Sequence, residues 1–409
     1  MKKSRKYFLF AIVIVVCIIS IFLILRVRVT FPDTVPSENG TAGTSCSEQG
    51  MYYIKDNHLQ FLDVNSGANV IVCNQANCKH DTENCHAYIE DQGAKILYYD
   101  GWVYVSSAFS DIKFEDGETH YTGLTNLDCI SSDGSRKKNI YTSNNGAVTS
   151  VKAIKDKIYF TAYSFHGEFS ENQYVYDQLI YEYDLRWKRL KLVKKYIADE
   201  NQETSRLQIV KGDATDAFIL YEIFNKDGSK KTQLIAINKD FEVLKEYNDD
   251  TYYDFVINEN KQYQISDLTV NDSETMEFSE STDFFQSQTQ ILSIEDAWVD
   301  IMSNYFLFIN SDYNKVLFNC DTGKSYVATT AFEGEKYISD IYDIDKKNNR
   351  IYINTTDYTG MLPGTLLYED TSNQAVVRLD EFVSDNFIDK ESLEKDKNEM
   401  LKWVKFIND

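Results

Sequence analysis

Apolar residues fall along this chain in two patterns that predict different elements. The first is one unbroken run, "YFLFAIVIVVCIISIFLIL" from Tyr7 to Leu25, nineteen residues without a charge. At about 1.5 Å per residue, a helix of that length spans the roughly 30 Å hydrocarbon core of a bilayer. The second pattern starts near Gly50 and continues to about Val383: short apolar and aromatic runs, many alternating with period two, broken by Asp, Asn, Gly and Ser turns. It predicts strands almost throughout, and the 29 Tyr and 24 Phe favour them further.

The strands repeat. One unit reads apolar strand, polar turn, apolar strand: "LQFLDVNSGANVIV" (59–72), "TNLDCISSDGSRKKNI" (125–140), "LIYEYDLRWKRLKLV" (179–193), "QLIAINKDFEVLKEY" (233–247), "KVLFNCDTGKSYV" (315–327) and "TLLYEDTSNQAVVRL" (365–379). Aligning the residues that open the turns puts Asp63, Ser131, Asp184, Asn238, Asn319 and Glu369 in one column, with room for a degenerate copy around Tyr252–Val270. A second hairpin type lies between these, in "ILYYDGWVYVSS", "AIKDKIYFTA" and "DIDKKNNRIYINT". Two hairpins per repeat of about 50 residues predict the four-stranded blades of a β-propeller. Seven blades is the expected count, with six or eight as alternatives; the first copy is short of a strand that the C-terminal part could supply.

The flanking segments have other characters. Lys2, Lys3, Arg5 and Lys6 precede the long apolar run, and only Arg26 and Arg28 follow it closely. The positive-inside bias then makes residues 1–28 a cytoplasmic N-terminus with a transmembrane signal-anchor and puts the rest outside the cell membrane. Residues 29–48 hold two of the three prolines among Ser, Thr and Gly and read as a flexible linker before a propeller at 49–383. Residues 384–409 have an acid-rich start, later lysines, and Leu393, Met400, Val404 and Ile407 at near-helical spacing, predicting a short C-terminal amphipathic helix packed on the propeller.

Charge removes one class of function. The net charge is −22, and residues 1–28 contribute +6 with no acid, which leaves −28 on residues 29–409. A nucleic-acid partner needs a basic stripe to displace counterions, so none is expected.

Cysteine and histidine concentrate in "VCNQANCKHDTENCHAY", Val72 to Tyr88. Cys73, Cys78, Cys85 and His80 make the Cys3His set that fills a tetrahedral zinc site, with Asp81 or Glu83 available behind the ligands. One residue between Cys78 and His80 is tight spacing for two ligands of one ion, so His86 is an alternate fourth ligand. Outside the membrane, thiols can also oxidise. A structural zinc or similar ion, a disulfide within the loop, and inert thiols all stand as readings. Cys17 lies in mid-span of the apolar run, and Cys129 and Cys320, far apart in the repeats, read as buried small residues.

The turns "LDVNSG" and "FNCDTG" resemble the quinoprotein-type propeller repeat, although the tryptophan that follows there is absent, which argues against a quinone cofactor. The anchor, the divergent blades and "CNQANCKHDTENCHAY" together resemble uncharacterised clostridial-type membrane-anchored extracytoplasmic β-propeller proteins, which carry domains of unknown function. That resemblance covers most of residues 50–383 and implies no activity.

Other motifs carry less. "DIDKKNNR" (343–350) has oxygen ligands in a calcium-like spacing but lacks the later bidentate Glu, and reads as a hairpin turn. His58, His120 and His166 stand apart from any nucleophile pattern, and no G-x-S-x-G elbow or phosphate-binding glycine loop occurs. Two functions follow. One is a non-enzymatic module, a sensor or scaffold, binding an extracellular ligand or protein; the other is a cell-surface hydrolase or lyase acting on glycan or peptide with carboxylates in the propeller channel. The missing nucleophile motifs favour the first.

Overall fold

Turn residues punctuate this chain every few residues, so each strand hydrogen-bonds to the next and the sheets are antiparallel meanders. In the computed structural model, the described residues run from 44 to 406. Not described within that range are 92, 116–117, 145, 155, 166–175, 199–201, 211–215, 228–229, 239–242, 250–253, 259–260, 271–272, 282–287, 296, 303–304, 311–314, 329–335, 346–347, 358–372, 381–382, 384–386 and 390–403. The predicted membrane span and its charged flanks lie outside the described residues. Among the described residues, no helix is long and apolar enough to cross a membrane.

All named elements are strands, in seven antiparallel sheets. The first holds β1 (Thr44–Cys46), β2 (Gly50–Lys55), β3 (His58–Asp63) and β4 (Asn69–Ile71). The second holds β5 (Lys95–Tyr99), β6 (Trp102–Glu115), β7 (Glu118–Ser131) and β8 (Lys137–Ser143); the third, β9 (Gly146–Ile154), β10 (Lys157–Phe165), β11 (Tyr176–Asp184) and β12 (Arg189–Tyr196). The fourth holds β13 (Gln202–Val210), β14 (Asp216–Asn225), β15 (Lys230–Asn238) and β16 (Val243–Asp249); the fifth, β17 (Asp254–Asn258), β18 (Lys261–Val270), β19 (Ser273–Ser281) and β20 (Gln288–Glu295). The sixth holds β21 (Ala297–Met302), β22 (Tyr305–Asn310), β23 (Lys315–Asn319) and β24 (Lys324–Ala328), and the seventh β25 (Lys336–Asp345), β26 (Arg350–Asp357) and β27 (Asn373–Arg378). Two short C-terminal strands, β28 (Phe387–Asp389) and β29 (Val404–Phe406), pair with β24 and β20 and extend the sixth and fifth sheets to five strands.

The two hairpin types are the two halves of one sheet. Those around "DG", "KD" and "DKKNN" join the first and second strands, and the aligned column residues Asp63, Ser131, Asp184, Asn238 and Asn319 each end a third strand. Three of these build the same turn. The Asp63 carboxylate accepts from Asn65 N and Ser66 N at 3.0 and 2.8 Å, Asp184 from Arg186 N and Trp187 N at 2.8 and 2.7 Å, and the Asn319 amide oxygen from Asp321 N and Thr322 N at 2.9 and 3.3 Å. In each, the N–H four residues on donates to the column residue's carbonyl at 2.8 Å, from a left-handed Gly67, Lys188 or Gly323. The degenerate copy expected at 252–270 lies at β17 and β18, within the fifth sheet. "DIDKKNNR" bridges β25 and β26, a hairpin connection.

Packing between sheets follows from strands apolar on both faces. Every residue of β22, "YFLFIN", is buried, because its sheet has a neighbour on each side. Tyr263, Phe278, Phe306, Phe308 and Phe318 fill the space between the fifth and sixth sheets, with ring centroids 4.7–6.1 Å apart. Tyr305, Leu307 and Ile309 meet Ile344, Ile351 and Leu379 of the seventh, and Tyr352 of the seventh packs with Cys46, Met51 and Tyr53 of the first. First strands also touch one another: β1 with β5, β5 with β9, β9 with β13, β13 with β17, and β1 with β25.

Three expected boundaries are corrected. The linker predicted to reach 48 gives way at Thr44, since Thr44, Ser45 and Cys46 are small enough to be buried in the innermost strand of the first sheet. That sheet is therefore completed by β1 rather than by the C-terminus. Of the helix predicted over 384–409, residues 387–389 and 404–406 are strands instead, paired with the edges of β24 and β20; residues 384–386, 390–403 and 407–409 lie outside the described residues.

Candidate metal centre

The loop from Val72 to Tyr88 joins the first sheet to the second, leaving β4 and returning against β3 before β5. Backbone bonds fasten its two ends to β3 and the turn before it: Val72 N donates to Leu59 O, Leu59 N to Ala87 O, and Ile89 N to Asn57 O, at 2.8–2.9 Å. Between them the chain winds in tight turns, Cys78 N to Gln75 O (3.2 Å), Cys85 N to Thr82 O (2.9 Å) and Tyr88 N to Cys85 O (3.1 Å). Asn77 and His80 both adopt left-handed backbone, φ 62° and 58°, a region that Asn and His enter more readily than most residues. Those two reversals let Cys78 and His80, one residue apart, aim at the same point.

Cys73, Cys78, His80 and Cys85 converge so that their ligand atoms lie within 4.8 Å of one another, the one such group among the described residues. His80 Nδ1 is 3.3 Å from Cys85 Sγ. A zinc ion about 2.3 Å from each sulfur needs sulfurs about 3.8 Å apart, so closing the set on an ion takes a contraction of about 1 Å at most. The donors fit: three sulfurs and one imidazole nitrogen complete a tetrahedron from a single loop. Cys73, Cys78 and Cys85 stand as thiols in the structure, and Cys46, Cys129 and Cys320 are buried elsewhere.

His86 lies outside this converging group. Its Nδ1–H donates to Gly134 O at 3.0 Å, and its backbone N–H to Gln75 Oε1 at 3.0 Å. Asp81 and Glu83 are exposed, and the supporting contacts come from other residues. Gln75 Oε1 accepts from the Cys73 thiol at 3.3 Å. His58, on β3, contacts the His80 carbonyl through Nε2 and Asp56 O through Nδ1, both at 2.6 Å, and its ring meets those of His80 and Tyr88 edge-on. The spacing within the loop pointed to the ligands. His58 and Gly134 gave no signal, being 15 residues before and 61 after Cys73 and joined to it only by the fold.

Gly134 locks the loop to the second sheet. It sits in the β7–β8 turn with φ 70°, and a Cβ there would lie 2.6 Å from Cys73 N and Val72 C. Its carbonyl accepts from Asn74 N at 3.1 Å as well as from His86. Asp133 shapes that turn, accepting from Ser131 Oγ (2.6 Å), Ser135 N (3.0 Å) and Ser135 Oγ (2.8 Å), and these donors hold its carboxyl at about 2. Beneath the loop, Val72, Cys85, Ala87 and Ile89 pack with Tyr52 and Leu59 of the first sheet and Val103, Val105 and Ile130 of the second.

The thiols differ electrostatically. Burial pushes Cys85 up to about 12. Burial opposes the Cys73 thiolate too, but the N–H groups of Gln75 and His86 and the thiols of Cys85 and Cys78 outweigh it and hold Cys73 below the ordinary thiol range. Cys73 is thus prepared to ionise, while Cys85 needs a cation to give up its proton.

No family model matches the chain, and no curated protein does. Among solved structures, a putative 6-phosphogluconolactonase from Bacteroides fragilis is 10% identical, with a TM-score of 0.43 over 79% of this chain and 89% of that one. The β-propeller domain of the Trilobed protease from Pyrococcus furiosus is 11% identical, with a TM-score of 0.35 over 65% of this chain and 89% of that one. The acylaminoacyl peptidase of Pyrococcus horikoshii is 10% identical with a TM-score of 0.40; 63% of this chain covers 41% of its length. At these scores the likenesses assign neither activity nor ligand.

Proposed function

We propose that this chain is a membrane-anchored extracytoplasmic β-propeller of seven blades, a non-enzymatic module that binds a ligand or protein, with a structural zinc ion closing the loop that connects its first and second blades. Zinc would be held by Cys73, Cys78, His80 and Cys85, and when bound it supplies a fixed four-way cross-link. The observation that carries the structural role of the ion is the donor set. Four protein ligands fill a tetrahedron, whereas a catalytic zinc keeps a position for water or substrate. The seven-blade count is supported by contacts between successive first strands and by those of the first sheet with the seventh. The anchor rests on the apolar run Tyr7–Leu25 and its flanking charges.

Cobalt substitution tests the closed site. The full chain, purified in detergent and loaded with Co²⁺, should give the intense absorption of a four-coordinate thiolate complex, unchanged by added azide or cyanate. A spectrum that shifts with either anion would reveal an open position and favour a catalytic role. Protease added to intact cells should remove the region after Arg28; its complete protection would refute the orientation.

A further inference from the structure

One segment runs against the charge of the whole chain. Arg186–Lys195, "RWKRLKLVKK", holds six cations and no acid within a protein of net charge −22. Most of it is β12, the outermost strand of the third sheet, whose outer edge pairs with no strand among the described residues. Six of its eight residues are exposed, Leu190 and Leu192 by 38% and 45%.

Register explains why those leucines are out. Phe160, Tyr181 and Leu192 stand opposite one another across β10, β11 and β12, as do Ile158, Tyr183 and Leu190. Each row runs from a fully buried residue to an exposed leucine, an apolar face cut off where the sheet stops. On the other face, Lys191 stands opposite Glu182, which Lys157 (2.8 Å) and Tyr159 (3.1 Å) already engage. Arg186 and Lys195 are ion-paired with Asp156 and Asp177 at 2.9 and 2.5 Å.

The molecule itself shows what such an edge accepts. The fifth and sixth sheets each take an extra antiparallel strand, β29 and β28, on the outer edges of β20 and β24. Other outer edges with described side chains differ. β4 is three residues long, and β8 turns its polar groups onto β7, through Lys137 and Asn139 to Asp128 and Thr142 to Asn126. We propose that the β12 edge is a docking site for an extended acidic peptide segment of a protein partner, added as a fifth strand beside Leu190, Lys191 and Leu192. Its ladder would supply affinity, and alternating apolar and acidic side chains would continue the two faces of the sheet. A second copy of β12 does not fit, because antiparallel self-pairing sets cations against cations.

The test uses the full chain in detergent with three labelled peptides, EVEVEVE, KVKVKVK and EVEPEVE, followed by fluorescence polarisation. EVEVEVE should bind. KVKVKVK should not, and EVEPEVE, with the same charge but a broken ladder, should bind about tenfold more weakly. Lys191→Glu with Lys194→Glu should weaken EVEVEVE by about tenfold or more, and Lys191→Ala less, with unchanged circular dichroism. Equal binding of EVEPEVE would reduce the edge to a charged patch and overturn strand addition. Binding of short-chain phosphatidylglycerol but not of EVEVEVE would make it a membrane surface. No binding of either would leave the lysines as protection against edge-to-edge aggregation alone. Each of these three results contradicts the proposal.

Discussion

The junction of the fifth and sixth sheets and that of the first and second do the same job with different chemistry. At the former, strands alone deliver Phe278, Phe306, Phe308 and Phe318, all nearly or fully buried, into one aromatic cluster. At the latter, β1 and β4 are three residues each, and the loop 72–89 adds Val72, Cys85, Ala87 and Ile89 to the contact. A junction with enough apolar area needs only the hydrophobic effect. One that takes part of its area from a loop also needs that loop held in place, which an ion on Cys73, Cys78, His80 and Cys85 would do.

The largest expected effect is on metal removal. Structural zinc in small sites contributes on the order of 10 kcal/mol of apparent binding free energy. Chelation should therefore strip amide-exchange protection from 73–88 and lower it in β2 and β3. Protection of β22 and β23, held by aromatic packing, should persist. Equal loss at both junctions would show that the ion does not act locally on the loop.

Next in size is the converse change. Phe278→Ala should cost about 3–5 kcal/mol in chemical denaturation, as large-to-small changes in tight cores do, without altering metal content. Gly134→Ala follows, at about 2 kcal/mol, because a Cβ meets the Cys73 backbone and φ 70° disfavours alanine. Zinc affinity should fall with it, since that turn braces the loop.

A smaller effect depends on pH. Asp133 is held at about 2 in the folded chain, below the ordinary carboxyl value, so its contribution is present above about 4 and lost as pH falls toward 2. Asp133→Asn should flatten that part of the stability profile. The smallest expected change is Lys188→Gly. It replaces a left-handed lysine with the residue that Gly67 and Gly323 supply in the equivalent turns, a gain of about 0.5 kcal/mol in a denaturant midpoint.

Much of this was legible in the chain because it is local. Period-two alternation and the turn residues Asp63, Asp184 and Asn319 carry their own hydrogen-bonding chemistry, and the four ligands sit in one short motif. What escaped depends on distant partners. Helical spacing at the C-terminus gave no hint that the edges of β20 and β24 would recruit Phe387–Asp389 and Val404–Phe406 as strands. That His80 joins the converging group while His86 points to Gly134, 48 positions beyond it, turned on two left-handed residues and a distant carbonyl. Net charge, averaged over 409 residues, hid the basic strand β12.

The central claim is that one ion joins Cys73, Cys78, His80 and Cys85. Zinc-edge X-ray absorption on the full chain purified without chelator, together with metal analysis, tests it most directly. One zinc per chain, with three sulfurs at about 2.3 Å and one nitrogen at about 2.0–2.1 Å, is the predicted result. A metal-free protein that takes up no zinc with all its thiols reduced, or a shell with fewer than three sulfurs, would contradict it.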